Sequence, residues 1–144
     1  MISNLIAAIK TQVETATSFS ELGLVIGPEN NAKLLSRDRY GVLPGEASQV
    51  EGSIRYYTID QVFTVSLMTD YVKLKSDDTG KRTATNTLFD KGLDVYEQVL
   101  KTKAGLPNSV MNVKGLTISE PLYFANEDTV LINVSFILTY RKPI

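Results

Sequence analysis

A regular alternation of apolar and polar residues near the C-terminus limits the folds that this chain can adopt. Every second residue of this run is apolar, namely Val130, Ile132, Val134, Phe136, Leu138 and Tyr140. Side chains along a β-strand point alternately to its two faces, so a period of two predicts a strand with one buried face. A long strand of this kind needs neighbouring strands and a layer that covers its apolar side.

A second alternating run, from Tyr57 to Tyr71, predicts another long strand. Its apolar face consists of Ile59, Phe63, Val65, Leu67 and Tyr71, interrupted by Gln61 and Thr69. The run is rich in Tyr, Phe, Val and Thr, which suit a pleated and half-buried surface. Together the two runs indicate an antiparallel sheet with one face in solvent. Shorter strands are predicted at Leu22–Ile26 and at Val110–Ile118.

Two helical patterns supply the covering layer. Near the N-terminus, apolar residues recur with helical spacing at Ile2, Leu5, Ile6, Ile9 and Val13. A second helix is predicted from about Arg82 to Thr102. Its broad apolar face combines two adjacent stripes, which are Leu88, Gly92, Val95, Val99 and Phe89, Leu93, Tyr96, Leu100. A face of this width suits a helix that lies across a sheet.

These elements predict an α+β fold in a single domain that covers residues 1–144. The expected architecture is a mostly antiparallel, twisted sheet packed on one face by two helices. The length of 144 residues lies within the usual range for one domain.

The stretch from Glu29 to Arg55 does not follow either pattern and is predicted to be a long protruding loop or a loose hairpin. It is rich in Gly, Asn and charged residues, and a hairpin would turn near Leu43-Pro44-Gly45. Part of it mixes both signs of charge with an aromatic ring, as the rims of protein interfaces do. The candidate interaction residues are Lys33, Arg37, Asp38, Arg39 and Tyr40. The alternative is a plain solvated loop without a special role.

The composition argues against catalysis. The chain has no His and no Cys, which removes the commonest general base and all thiol chemistry. Asp60 and Asp70 share one strand face, but ten residues at about 3.3 Å each separate them by roughly 33 Å. Gly80-Lys81-Arg82 lacks both the earlier glycine and the Ser or Thr of a phosphate-binding loop. We therefore expect no enzyme activity, no catalytic residues, no metal site and no cofactor.

Charge and hydropathy also restrict the partners. The formal net charge of -1 is unlike that of a dedicated nucleic-acid-binding protein. No run approaches the ~18 apolar residues of a membrane span, and the N-terminus lacks the pattern of a signal peptide. We expect a protein without a membrane partner that is made in the cytoplasm.

The C-terminal run from Asn126 to Arg141 resembles the last strand of bacteriophage tail terminator proteins. Those chains also end in an alternating strand that finishes in a Thr-Tyr dipeptide, here Thr139-Tyr140. The order of elements is similar as well: an amphipathic helix, a long loop, a long strand, a helix and a closing hairpin. The resemblance covers nearly the whole chain.

The resemblance implies a structural virion protein at the head-proximal end of a tail. In that family a homo-oligomeric, hexameric ring caps the tail tube, stops its polymerisation and joins it to the head connector. The implied partners are other copies of the chain, the tail tube protein and the connector or neck protein, with DNA only as cargo passing through the channel. The alternatives are another neck or injection-system cap protein, and a small ligand-binding or carboxylate-using α+β enzyme domain.

Overall fold

The computed structural model describes residues 2–21, 38–71, 79–101, 110–124 and 128–144. Within these ranges the chain forms two helices and six strands. The helices are α1 (Ile2–Thr17) and α2 (Thr79–Lys101), and the strands are β1 (Ser20–Glu21), β2 (Arg39–Gly52), β3 (Tyr56–Asp70), β4 (Val110–Ile118), β5 (Leu122–Phe124) and β6 (Thr129–Pro143).

The six strands form one open sheet in the order β1-β2-β3-β6-β4, with β5 also paired to β6. All pairings are antiparallel except that of β1, which runs parallel to the start of β2. Both helices pack on the same apolar side of the sheet and against each other. The predicted α+β fold is therefore confirmed.

The core lies between the helices and the apolar faces of β3 and β6. Phe63 and Phe136 are directly opposite each other across the two strands, and both are fully buried. The alternation of β6 is confirmed, because the six apolar residues at alternate positions from Val130 to Tyr140 are all buried. The helices contribute fully buried side chains at Leu5, Ile9, Val13, Leu88, Val95 and Val99.

Gly92 lets α2 lie close to the sheet. A methyl group at this position would lie 3.0 Å from Cγ2 of Val134 and 3.3 Å from Cδ1 of Ile132. These distances are shorter than ordinary contact, so a larger residue would push the helix away from β6. A glycine in the middle of a helix costs about 1 kcal/mol relative to alanine, which the close packing offsets.

Gln61 interrupts the apolar face of β3 because it joins three strands. The hydroxyl of Tyr140, in β6, donates a hydrogen bond of 2.6 Å to Oε1 of Gln61. The amide nitrogen of Gln61 donates in turn to the backbone carbonyl of Gly45 in β2, at 3.3 Å. A buried polar group that is hydrogen-bonded on both sides avoids the cost of desolvation.

The prediction of a loop at Glu29–Arg55 is wrong for the part from Arg39 to Gly52. This segment is the 14-residue strand β2, which pairs with β3 along its length through two irregularities of register. A hairpin does form, but it turns at Ser53–Arg55 rather than at Leu43-Pro44-Gly45. The Ser53 backbone N–H donates to the Tyr56 carbonyl at 2.7 Å, and its hydroxyl accepts the Arg55 and Tyr56 N–H groups.

The sequence did not predict this strand because the apolar alternation of β2 ends at Val42. From Leu43 to Gly52 every residue is exposed on both faces, so no buried face leaves a period of two in the sequence. This segment forms a strand because its backbone pairs with β3. The strand predicted at Leu22–Ile26 and the segment 29–37 lie outside the described residues.

Truncation of the central aromatic pair tests the assignment of the core. Phe63→Ala or Phe136→Ala should lower the free energy of unfolding by ~3–5 kcal/mol, because each removes a fully buried ring. Chemical denaturation measures this loss. Leu43→Ala is the control, since Leu43 is 67% exposed and its truncation should cost under ~0.5 kcal/mol. A loss under ~1 kcal/mol for both Phe variants would mean that the assigned core face is not buried.

Candidate assembly surface

The five predicted interaction residues do not form one surface group. Lys33 and Arg37 lie outside the described residues. Asp38 is exposed just before β2, where its carboxylate accepts a hydrogen bond from the Thr69 hydroxyl. Arg39 is half-buried at the start of the strand. Asp38 and Arg39 thus lie at the surface of the subunit.

Tyr40 belongs to the core instead. It lies opposite Leu67 on the side of the sheet that faces the helices, and it is fully buried. Burial, together with the nearby Glu14 carboxylate, raises the pKa of its hydroxyl. Its side chain is therefore not available to a partner of the folded subunit. Sequence reasoning missed this because it treated the segment as a loop.

One edge of the sheet is the outer side of β2. The short strand β1 covers this edge only at Arg39 and Tyr40. From Gly41 to Gly52 no strand among the described residues pairs with it. Leu43 and Val50 lie on this stretch with 67% and 59% of their surface exposed. A long strand edge with free backbone groups and exposed apolar residues is a template for pairing with another chain.

The opposite edge consists of β4 and β5. Both pair with β6 on one side, and within the described part of the chain nothing pairs with their other side. Met111 in β4 and all three residues of β5 are exposed and apolar. Among the described strands, the sheet is therefore open at both ends.

An exposed apolar patch lies at the turn of the β2–β3 hairpin. It consists of Ile54 and Ile144, and we call it the hairpin tip. Ile54 is 92% exposed and the C-terminal Ile144 is 80% exposed. They line one shallow concavity together with Gln49, Gly52, Ser53 and Tyr57. The Ile144 N–H donates to the Arg55 carbonyl at 3.0 Å, which holds Ile144 against the turn. The guanidinium of Arg141 lies 4.0 Å from the centre of the Tyr56 ring and adds a second tie.

The sheet face away from the helices carries short polar side chains that bind one another. Thr64 and Ser135 hydroxyls are 3.0 Å apart, and the Ser66 hydroxyl donates to Oδ1 of Asn133 at 2.6 Å. These pairs join β3 to β6 directly across the ladder. These hydrogen bonds satisfy polar side chains on both strands.

Asp60 is the charged centre of the same face. Its carboxylate accepts a hydrogen bond from the Thr139 hydroxyl and lies 3.1 Å from Nζ of Lys114 in β4. The Thr139 hydrogen bond, with a smaller contribution from Lys114, holds the pKa of Asp60 below its ordinary value of 3.8. The carboxylate is thus engaged by side chains of β6 and β4.

A further cluster fixes β5 to the start of α2. The Lys81 ammonium lies 4.5 Å from the centre of the Tyr123 ring and 5.8 Å from that of Tyr71. The Tyr123 and Thr85 hydroxyls are 2.8 Å apart. This arrangement places the exposed residues of β5 at a defined position beside β6.

Among the residues that the structure describes, no three His, Cys, Asp or Glu side chains are grouped so that they could hold a metal ion. Neither α1 nor α2 is both long and apolar enough to cross a membrane.

Comparison with known proteins gives a likeness of fold. No protein-family model matches the chain, and no curated protein matches it in sequence. Among solved structures, the chain is similar to one from the virion of a native gene transfer agent (GTA) particle. The match covers 98% of this chain and 97% of that chain, with a TM-score of 0.50 and 11% sequence identity. At this identity the two chains share a fold.

Removal of the Thr139 hydroxyl tests the electrostatics of this face. Thr139→Val should raise the pKa of Asp60 towards its ordinary value, because the variant loses the hydrogen bond that contributes most to the shift. A carboxyl-carbon NMR titration measures it. Because the folded pKa is lowered, this contribution to stability is complete above pH 3.8 and is lost as the pH falls below that value.

Thr64→Val is the matched control for Thr139→Val. It removes a hydroxyl of the same face that bonds Ser135 and not Asp60. It should leave the Asp60 titration unchanged. An unchanged Asp60 pKa in Thr139→Val would contradict the assigned hydrogen bond.

Proposed function

We propose that this protein is a structural virion component that forms a hexameric ring at the head-proximal end of a phage-like tail. The ring caps the tail tube, stops its polymerisation and joins it to the head connector, and DNA passes through its channel. The observation that carries the proposal is the fold likeness to a chain of the GTA virion particle over nearly the whole length of both chains. The resemblance of the Asn126–Arg141 run to tail terminators supplies the position in the tail.

The sheet edges support a ring. In a ring of more than two subunits, one patch of each subunit meets a different patch of the next. The outer side of β2 and the outer side of β4 are two such patches, because they lie at opposite ends of one sheet. Both carry exposed apolar residues, Leu43 and Val50 on β2 and Met111 on β4.

The hairpin tip supports a contact along the tail axis. It lies at the end of the strands, whereas the two open edges lie at their sides. A ring joined through its edges would therefore leave each tip free to contact a different protein. We assign the tip to the tail tube, and Asp38 and Arg39, at the other end of β2, to the surface that faces the connector.

The carboxylate-using enzyme has less support. Asp60 is bonded to Thr139 and paired with Lys114, and Asp70 lies at the far end of the same strand. The two carboxylates therefore do not form an acid–base pair. Molar mass in solution separates the two functions, since the proposed cap requires a ring and the enzyme does not.

Particles that lack the protein test the proposed role. If it terminates the tail, its depletion should give headless tubes of variable and excessive length in negative-stain electron microscopy. Resupply of the purified protein should cap these tubes at one end. Tubes of normal, uniform length without the protein would contradict a terminator function.

A substitution at the hairpin tip tests the contact with the tube. Ile54→Asp should leave folding and ring formation unchanged, because Ile54 is 92% exposed in the subunit. It should weaken binding to purified tubes by about tenfold or more, because a charge would enter an apolar contact. Leu93→Asp, at an exposed apolar position on α2, is the control and should bind normally. Equal binding by wild type and Ile54→Asp would exclude the tip from the contact.

A further inference from the structure

We propose that neighbouring copies join by pairing the outer edge of β2 in one copy with the outer edge of β4 in the next, so that one sheet continues from subunit to subunit. This inference rests on the proposed ring and names the strands and the residues that form its interface. It follows from three properties of the two open edges: their position along the strand axis, which we call their level, the direction of their strands, and their charge.

The two edges lie at the same level across the sheet. Following the pairing from strand to strand, Val42 is opposite Val65, Val65 is opposite Val134, and Val134 is opposite Ile118. At the other end of the edge, Gln49 connects in the same way through Ile59 and Tyr140 to Val110. The Val42–Gln49 part of the open edge of β2 therefore spans the same height as β4 from Ile118 to Val110. A rotation about an axis along the strands brings the two edges together without a shift.

The strand directions also fit. The four long strands β2, β3, β6 and β4 alternate in direction. With an even number of alternating strands, rotation about an axis along them places β4 antiparallel to β2 of the next copy. The alternation then continues across the boundary, and the free backbone groups of each edge meet partners.

The charges at the edges are complementary. From Gly41 to Gly52, β2 carries Glu46 and Glu51 and no basic residue, whereas β4 carries Lys114 and no acidic residue. Glu46 lies in the irregularity between Pro44 and Ala47, which is opposite Val62. Val62 pairs with Ile137, and Ile137 pairs with Lys114. Glu46 and Lys114 therefore lie at the same level on opposite edges, so the rotation brings opposite charges together.

Lys114 remains available for this contact. Its ammonium lies 3.1 Å from Asp60, but its side chain is 49% exposed. Two exposed apolar residues also lie at nearly the same level on the two edges. Val50 of β2 and Met111 of β4 both lie at irregularities of register beside the Ile59–Tyr140 pair. Pairing of the edges would cover both of these exposed side chains.

Cysteine cross-linking tests the interface, because the natural chain has no cysteine. Within one copy, positions 46 and 114 are separated by three strand spacings, or about 14 Å. A disulfide needs Cα atoms within about 7 Å, so a bond between these positions can form only between copies. The variant Glu46→Cys with Lys114→Cys, oxidised as the assembled protein, should give a ladder of covalent oligomers on a denaturing gel that stops at the closed ring.

A second cysteine pair is the matched control. Glu51→Cys with Lys114→Cys places its two cysteines on the same two strands as the first pair. Like the first pair, it removes one acidic and one basic residue. Position 51 is opposite Thr58, four residues along β3 from Val62, or about 13 Å from the level of Lys114. This pair should cross-link at least tenfold less than the first. Equal cross-linking by the two pairs would contradict the proposed register.

Charge reversal provides an independent measurement. Glu46→Lys should weaken association at least about tenfold, because it places two like charges together, whereas Glu51→Lys on the same strand should have a much smaller effect. Analytical ultracentrifugation measures both, and circular dichroism confirms that both fold. Equal association of Glu46→Lys and wild type would overturn the inference.

The outcomes separate the interface from the function. Rings seen by mass without a 46–114 cross-link would refute edge pairing and leave the cap function standing. A ladder that continues without closing would support edge pairing and refute a ring. Protein that remains monomeric, alone and with tubes, and forms no cross-link would refute both.

Discussion

The ladder between β3 and β6 is the interaction on which the rest of the structure depends. The two strands pair over 15 residues in an unbroken register, from Tyr56 opposite Pro143 to Asp70 opposite Thr129. Phe63 and Phe136 meet at its centre beneath the helices. A shift by one residue would turn every apolar side chain of one strand to solvent, so burial of this face fixes the register. Every other strand takes its position from this pair.

The same ladder determines where the subunit ends. Because β3 and β6 are central, β2 and β4 become the outer strands, and both remain unpaired over most of their outer sides within the described part of the chain. Proteins that act alone usually shorten or cover such edges. An open sheet with matched ends is suited to repetition around an axis. In the ring that we propose, the hairpin tip is left for a partner along that axis, so one sheet would provide two kinds of contact.

The parts of the fold that were predictable from sequence are those in which burial imposes a period. The apolar alternation of β6 and most of that of β3 predicted their buried faces, and the helical spacing predicted α1 and α2. β2 was not predictable in this way, because its distal half is exposed on both faces and Pro44-Gly45 has the composition of a turn. Tyr40 was misjudged for the same reason. Within the candidate surface, the levels of Glu46 and Lys114 follow only from pairing partners that are distant in sequence.

An electron cryo-microscopy map of the assembled particle tests the central claim most directly. The account predicts six copies of this fold in a single ring between the tail tube and the head connector. In that ring β2 of each copy lies beside β4 of the next, and the Ile54 tip faces the tube. A map that places this fold anywhere other than the end of the tube, or as isolated copies without contact between sheet edges, would contradict the account.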